Sequence, residues 1–172
     1  MANNWSSVKD IASLSASTLK DCRCIIFVFS GHGQEGDYIF MEDNSRHQIY
    51  DAIVHPLLPK NAKGIGSIQK AFLIDACRGG EKAAIAYVPK GPKEGLMDKL
   101  KKFSAEGNFL VAYSTLPKQL AYETDKGGVW LSTVATLLNE GKHLNSLGDF
   151  LTMVNKCMME DNFSTAGVTI TT

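Results

Sequence analysis

The sequence predicts an α/β domain built on a mostly parallel sheet. Three apolar runs, RCIIFVFS (23–30), KAFLIDAC (70–77) and NFLVAYST (108–115), have strand length and are rich in β-branched or aromatic residues. Stretches of helical spacing alternate with them, the order that sets parallel strands in one sheet with helices outside it. The chain has 172 residues, 44% of them hydrophobic, enough for one core, and no internal repeat divides it.

Residues 6–19, SSVKDIASLSASTL, set Val8, Ile11, Leu14 and Leu19 near helical spacing, with Ser6 or Ser7 placed to cap the start. The run at 23–30 is closed by GHGQEG, and its unbroken apolar character predicts a strand buried on both faces. DYIFMEDN (37–44) reads as a short hairpin piece, and IYDAIVHPLLP (49–59) as a short helix stopped by Pro56. KNAKGIGSIQ (60–69) is a polar connector to the second buried strand at 70–77.

Residues 80–107 lose periodicity, and their prolines, glycines and lysines predict a long accessible loop with a helical turn at LMDKLKKF (96–103). The third strand, 108–115, leads through LPKQLAYETDKGG to an amphipathic helix, VWLSTVATLLNEG, ended by Gly141. NSLGDFLTMVNKCMMED (145–161) supplies a further helix with Asn145 or Ser146 as its cap, and AGVTITT (166–172) a final short strand.

Composition narrows the function. The 18 basic and 18 acidic side chains balance, which argues against nucleic acid as the main partner. No apolar run is long enough to span a bilayer, and the N-terminus shows no basic region leading into a hydrophobic stretch, so a soluble, cytoplasmic protein is expected. Cys22, Cys24, Cys77 and Cys157 are scattered, without the spacing of a disulfide framework or a zinc site. No cofactor or metal is expected. Cys22, Cys24 and Cys157 read as small packing residues, and His47, His55 and His143 as surface or satisfied histidines.

The chemistry gathers at two strand exits. FSGHG follows the first strand and DACRG the second, so His32 and Cys77 fall at corresponding ends of strands that can be neighbours. A histidine about 50 residues before such a cysteine frame is a recognised caspase signature. The chain resembles the caspase-like cysteine peptidases, the group of caspases, paracaspases and metacaspases. The segment NFLVAYSTLPKQLAYETDKGGVWL is similar to the strand, substrate loop and helix of the small subunit in animal caspases, and the likeness extends over roughly residues 6–172.

The resemblance implies a caspase-like three-layer sandwich and a cysteine endopeptidase with a Cys77/His32 dyad. An imidazole beside the thiol can take its proton and make Cys77 a nucleophile toward an amide carbonyl. The family pattern assigns the oxyanion donors to the backbone N–H groups of Gly33 and Cys77. It also assigns Ala121, Tyr122 and Glu123 to the substrate loop, with Tyr122 packing beside the bound peptide.

Specificity departs from the caspases that cut after aspartate. Those carry glutamine two residues before the nucleophile and arginine at the eighth residue after YST; here the positions hold Asp75 and Glu123. Two carboxylates in one pocket repel aspartate and attract arginine or lysine, so protein or peptide substrates with a basic residue before the scissile bond are expected. This resembles paracaspases and metacaspases. The alternative is that Asp75 caps a loop while Glu123 faces solvent.

By the same resemblance the whole chain, 1–172, is one peptidase domain. It divides into a large-subunit-like part (1–80), an intersubunit-like linker (81–107) and a small-subunit-like part (108–172), and it is expected to lack the family's first two strands. CIIFVF then becomes a sheet edge. A terminal apolar strand on the sheet edge is best covered by its symmetry mate, so a homodimer through AGVTITT is expected, and the resemblance implies a role in programmed cell death or immune signalling. The linker holds one aspartate, Asp98, but lysines at 82, 90, 93, 99, 101 and 102, so self-processing would fall after lysine. A catalytically inactive regulatory or dimerisation partner is the alternative reading.

Overall fold

The computed structural model describes residues 22–62, 64–79, 108–125, 127–142 and 146–160. The helix expected over 6–19, the linker at 81–107 and the final strand at 166–172 lie outside these residues. Among the described residues the central sheet has three strands, β1 (Cys24–Gly31), β5 (Gln69–Ala76) and β6 (Phe109–Tyr113), in the order β1-β5-β6. Both pairings are parallel. Each apolar run is therefore a strand, and the chain has the α/β architecture with a mostly parallel sheet.

Alternation along β5 separates two cores. Phe72, Ile74 and Ala76 face one layer with Ile39, Ile49, Ile53, Val54 and Val111. Leu73 faces the other, with Ala112 and the helices α1 (Val129–Asn139) and α2 (Leu147–Glu160). The registered pair Phe27 and Phe72 stacks across β1 and β5 with ring centroids 5.0 Å apart, fixing the sheet's alignment. Trp130 in α1 and Leu151 and Val154 in α2 are at most 1% exposed, each burial contributing about 1.5–3 kcal/mol.

The strand at β1 is not buried on both faces. Ile25, Phe27 and Phe29 pack toward the first core, whereas Ile26 and Val28 are 56% and 57% exposed. An apolar run cannot distinguish a central strand from an edge strand, and α1 and α2 cover only the β5–β6 part of that face. Cys24 is likewise exposed rather than packed, while Cys157 lies against the helical core.

The hairpin piece is a three-stranded antiparallel meander: β2 (Gly33–Gln34), β3 (Tyr38–Phe40) and β4 (Arg46–Gln48). Asp37 and Asn44, with φ of 60° and 61°, make the turns in the left-handed region that Asp and Asn tolerate best. The short helix is replaced by a π-type turn at Tyr50–Val54 running into a 3₁₀ turn at His55–Leu57. Pro56 sits in the first turn of the latter, where its missing N–H costs nothing. At the C-terminal end of α1, Gly141 takes a φ of 69°, as its position after the helix requires. Ser146 settles the choice of cap for α2, its Oγ accepting the Asp149 N–H at 3.0 Å.

Candidate active site

Gly31 pairs with Ala76, so His32 and Cys77 are the next residues on two adjacent parallel strands, at the same end of the sheet. Strands in such a pair lie about 4.8 Å apart, which brings the imidazole loop and the thiol loop together without any long side-chain reach. His32 is exposed, and its carbonyl accepts the Phe40 N–H at 3.0 Å, tying the residue to β3. Gly33 is pressed against the other loop: a Cβ there would overlap the Cys77 carbonyl oxygen and meet Ala76 Cβ at 2.9 Å. A glycine at this position is thus demanded by close backbone approach.

A separate contact reaches the thiol itself. The Ala121 N–H donates to Cys77 Sγ at 3.3 Å. The segment leading to Ala121 is laced to the residues after Cys77, with Arg78 N–H donating to the Gln119 carbonyl at 2.8 Å and Lys118 N–H to the Arg78 carbonyl at 2.9 Å. Gly79 completes the lacing, since a Cβ there would overlap the Lys118 backbone.

Arg78 binds three segments at once. Its Nε lies 2.6 Å from Asp37 Oδ1, its guanidinium carbon 3.9 Å from the Tyr113 ring centroid, and its Nη1 donates to the Thr115 carbonyl at 3.3 Å. The residue is buried, so the pair operates away from water and removing either partner leaves a stranded charge. Asp37 belongs to the meander that begins at Gly33, Arg78 to the Cys77 exit, and Thr115 to the segment that leads from β6 to Ala121. The exposed pair Lys118–Glu35, 3.8 Å apart, spans the same loops and contributes little by itself.

Asp75 lies on the α1 side of β5 and is 4% exposed. Its Oδ2 accepts the Leu131 N–H at 3.4 Å, in the first turn of α1, whose own N-cap, Gly128, has no side chain to offer. The carboxylate from β5 thus satisfies an orphan donor at the positive end of that helix. Burial raises its pKa above 3.8; the nearby Ser114 hydroxyl and the Leu131 N–H pull it down, and the charge of Glu123 raises it further. Ser114 Oγ is close enough to favour the charged form without meeting hydrogen-bond geometry.

Glu123 is exposed, on a two-residue strand, β7 (Glu123–Thr124), that pairs with β8 (Gly127–Gly128) immediately before α1. Asp75 and Glu123 are therefore brought within electrostatic range, one buried and one at the surface. Tyr122 is 47% exposed, and its carbonyl accepts the Val129 N–H at 3.0 Å. Of the other histidines, His47 Nε2 lies 2.9 Å from Ser45 Oγ and His55 Nε2 3.3 Å from Asn61 Nδ2; His143 is outside the described residues.

Sequence reasoning assigned no role to Arg78, Asp37 or Gly128. Arg78 carried a signal, since an arginine directly after a buried strand must find a partner. Asp37, 41 residues away, offered none.

A profile for the Caspase domain matches residues 3–168. The chain is 30% identical over 144 residues to Caspase-7 of Gallus gallus, an alignment covering 78% of this chain and 44% of the relative. It is 31% identical over 99 residues to Caspase-3 of Bos taurus, covering 56% of this chain and 35% of the relative. Against Caspase-3 of Mus musculus it is 32% identical over 88 residues, covering 51% and 31%. These alignments span less than half the length of the curated relatives.

Proposed function

The chain belongs to the caspase-domain family of cysteine peptidases, and from that premise we propose that it is an endopeptidase in which Cys77 is the nucleophile and His32 its proton acceptor and donor, cutting after arginine or lysine. The observation that carries the reading is the meeting of the two loops at neighbouring strand ends, with Gly33 against the Cys77 carbonyl and the Ala121 N–H on its sulfur.

His32 takes the Cys77 proton as the sulfur attacks the scissile carbonyl. The Gly33 and Cys77 N–H groups receive the oxyanion, and preorganised donors of this kind are worth about 10²–10³ in rate. Collapse of the intermediate expels the amine, protonated by His32, and leaves a thioester on Cys77. Water, deprotonated by His32, attacks that thioester and releases the new carboxylate with the thiol restored. The peptide lies along Ala121 and Tyr122.

Charge at the first pocket supports the basic preference. Asp75 and Glu123 already oppose one another, and a guanidinium between them relieves the repulsion and engages both through its planar fork. A unit pair about 4 Å apart at an effective dielectric near 20 is worth roughly 4 kcal/mol, enough to dominate discrimination against an aspartyl substrate.

Turnover of matched peptides bearing arginine, lysine or aspartate before the scissile bond tests the reading. Arginyl and lysyl peptides are expected to be cut and the aspartyl peptide to resist. Cleavage confined to aspartate, or cleavage surviving Cys77→Ala, overturns it.

A further inference from the structure

We propose that Gly128 is a specificity-positioning residue of the pocket bounded by Asp75 and Glu123, because only a residue without a side chain lets the Asp75 carboxylate lie between the start of α1 and the strand carrying Glu123. The inference rests on the basic-residue reading above and deepens it.

Backbone conformation does not explain this glycine. Gly128 has φ −62° and ψ 128°, which any residue adopts. Its neighbour Gly127 shows the contrasting case, with φ 102° and open space where a Cβ would go. At Gly128 the reverse holds: a Cβ would overlap Asp75 Oδ2 and crowd its Cγ at 2.9 Å. Space for a carboxylate, rather than a turn, is what the missing side chain provides.

Three placements meet at this residue. Gly128 pairs directly with Glu123 across β7 and β8. It is the residue from which α1 starts, two before Trp130 and three before Leu131, whose N–H holds Asp75 Oδ2. It also abuts the carboxylate of Asp75 itself. A methyl group at Gly128 would push the free end of the Asp75 side chain, which is easier to move than the backbone on either side. The acid would lose its place beside Glu123 and Leu131, so a basic side chain would meet one well-placed carboxylate in place of two. Cys77 and His32, at the strand exits, would be left where they are.

The test measures labelling of Cys77 in the full chain by arginyl and aspartyl peptide chloromethyl ketones, with iodoacetamide as a reagent that needs no pocket. Gly128→Ala is expected to slow arginyl labelling about tenfold and leave iodoacetamide labelling within about twofold. In an Asp75→Ala background, where the space is vacated, adding Gly128→Ala is expected to change arginyl labelling no further. Unchanged arginyl labelling in Gly128→Ala, or a further tenfold loss in the Asp75→Ala background, overturns the inference. Should Gly128→Ala alone fail to fold, the comparison of Asp75→Ala with Asp75→Ala/Gly128→Ala decides by the same criterion. If the unaltered chain reacts with iodoacetamide but shows no arginyl preference, the basic-pocket reading falls and takes this one with it; if the preference stands and Gly128→Ala does not alter it, only the role of Gly128 fails.

Discussion

The placement of Cys77 and His32 at neighbouring strand ends was legible, because each follows an apolar run within a short motif, and the pairing of Gly31 with Ala76 brings those ends side by side; their catalytic role is part of the proposal. Cys77→Ala and His32→Ala are therefore expected to lower peptide turnover by at least about a thousandfold while leaving the thermal midpoint nearly unchanged. Turnover kinetics with thermal melts of the same samples check both halves. Asp75 was half legible. Its acidity could be read, but its engagement with Leu131 N–H depends on a helix start 56 residues away. Because burial raises the folded-state pKa of Asp75 above 3.8, the folded chain holds this proton more tightly than the unfolded chain. Stability should fall, relative to Asp75→Asn, as pH rises through the window from 3.8 to the raised value, with no further relative change above it. Urea midpoints of both proteins across mildly acidic pH measure the effect; parallel curves would show that the carboxylate is not perturbed.

Elements were read well where periodicity was long and poorly where tertiary contact decided. Helix α1 and its terminating Gly141 follow from apolar spacing and a left-handed residue, and α2 from Ser146 and the buried positions Phe150, Leu151, Val154 and Met158. Ser146→Ala should cost about 1 kcal/mol in urea unfolding, since it removes the acceptor for Asp149 N–H. The short helical stretch at 50–57 was legible, but its division into π and 3₁₀ turns was not, and Pro56, read as its stop, lies in the first turn of the second. The clasp between the meander and the Cys77 exit was invisible for a different reason: Asp37 and Arg78 are remote in sequence and gain meaning only as a buried pair. Arg78→Ala should destabilise by about 3–5 kcal/mol by stranding Asp37, and Arg78→Lys should recover only part of it, because an ammonium cannot reproduce the flat contact with Tyr113. Chemical denaturation of the two variants beside the unaltered chain gives the ranking.

For the whole molecule, the parallel sheet with a core on each face was legible from three runs; the terminal place of β1 among the described strands was legible only through the resemblance, since composition alone had made that run a strand buried on both faces and so hid the exposure of Ile26 and Val28. We propose that association uses residues 166–172, and deletion of that segment is expected to convert a dimer to a monomer in sedimentation at micromolar concentration; a monomer before the deletion would contradict it. The alternation of β5 has a wider consequence. Leu73 and Asp75 lie on one side of that strand, while Phe72, Ile74 and Ala76 lie on the other, and Cys77 follows directly after its end. A slip of one residue against β1 or β6 would exchange the sides and carry an alanine or an isoleucine to the start of α1 in place of the acid. Assembly errors in this sheet cannot be silent: a misaligned molecule buries charge where hydrocarbon belongs and carries Cys77 out of line with His32. The number of chains that a pocket-directed reagent can titrate after refolding is thereby a head count of correctly aligned sheets.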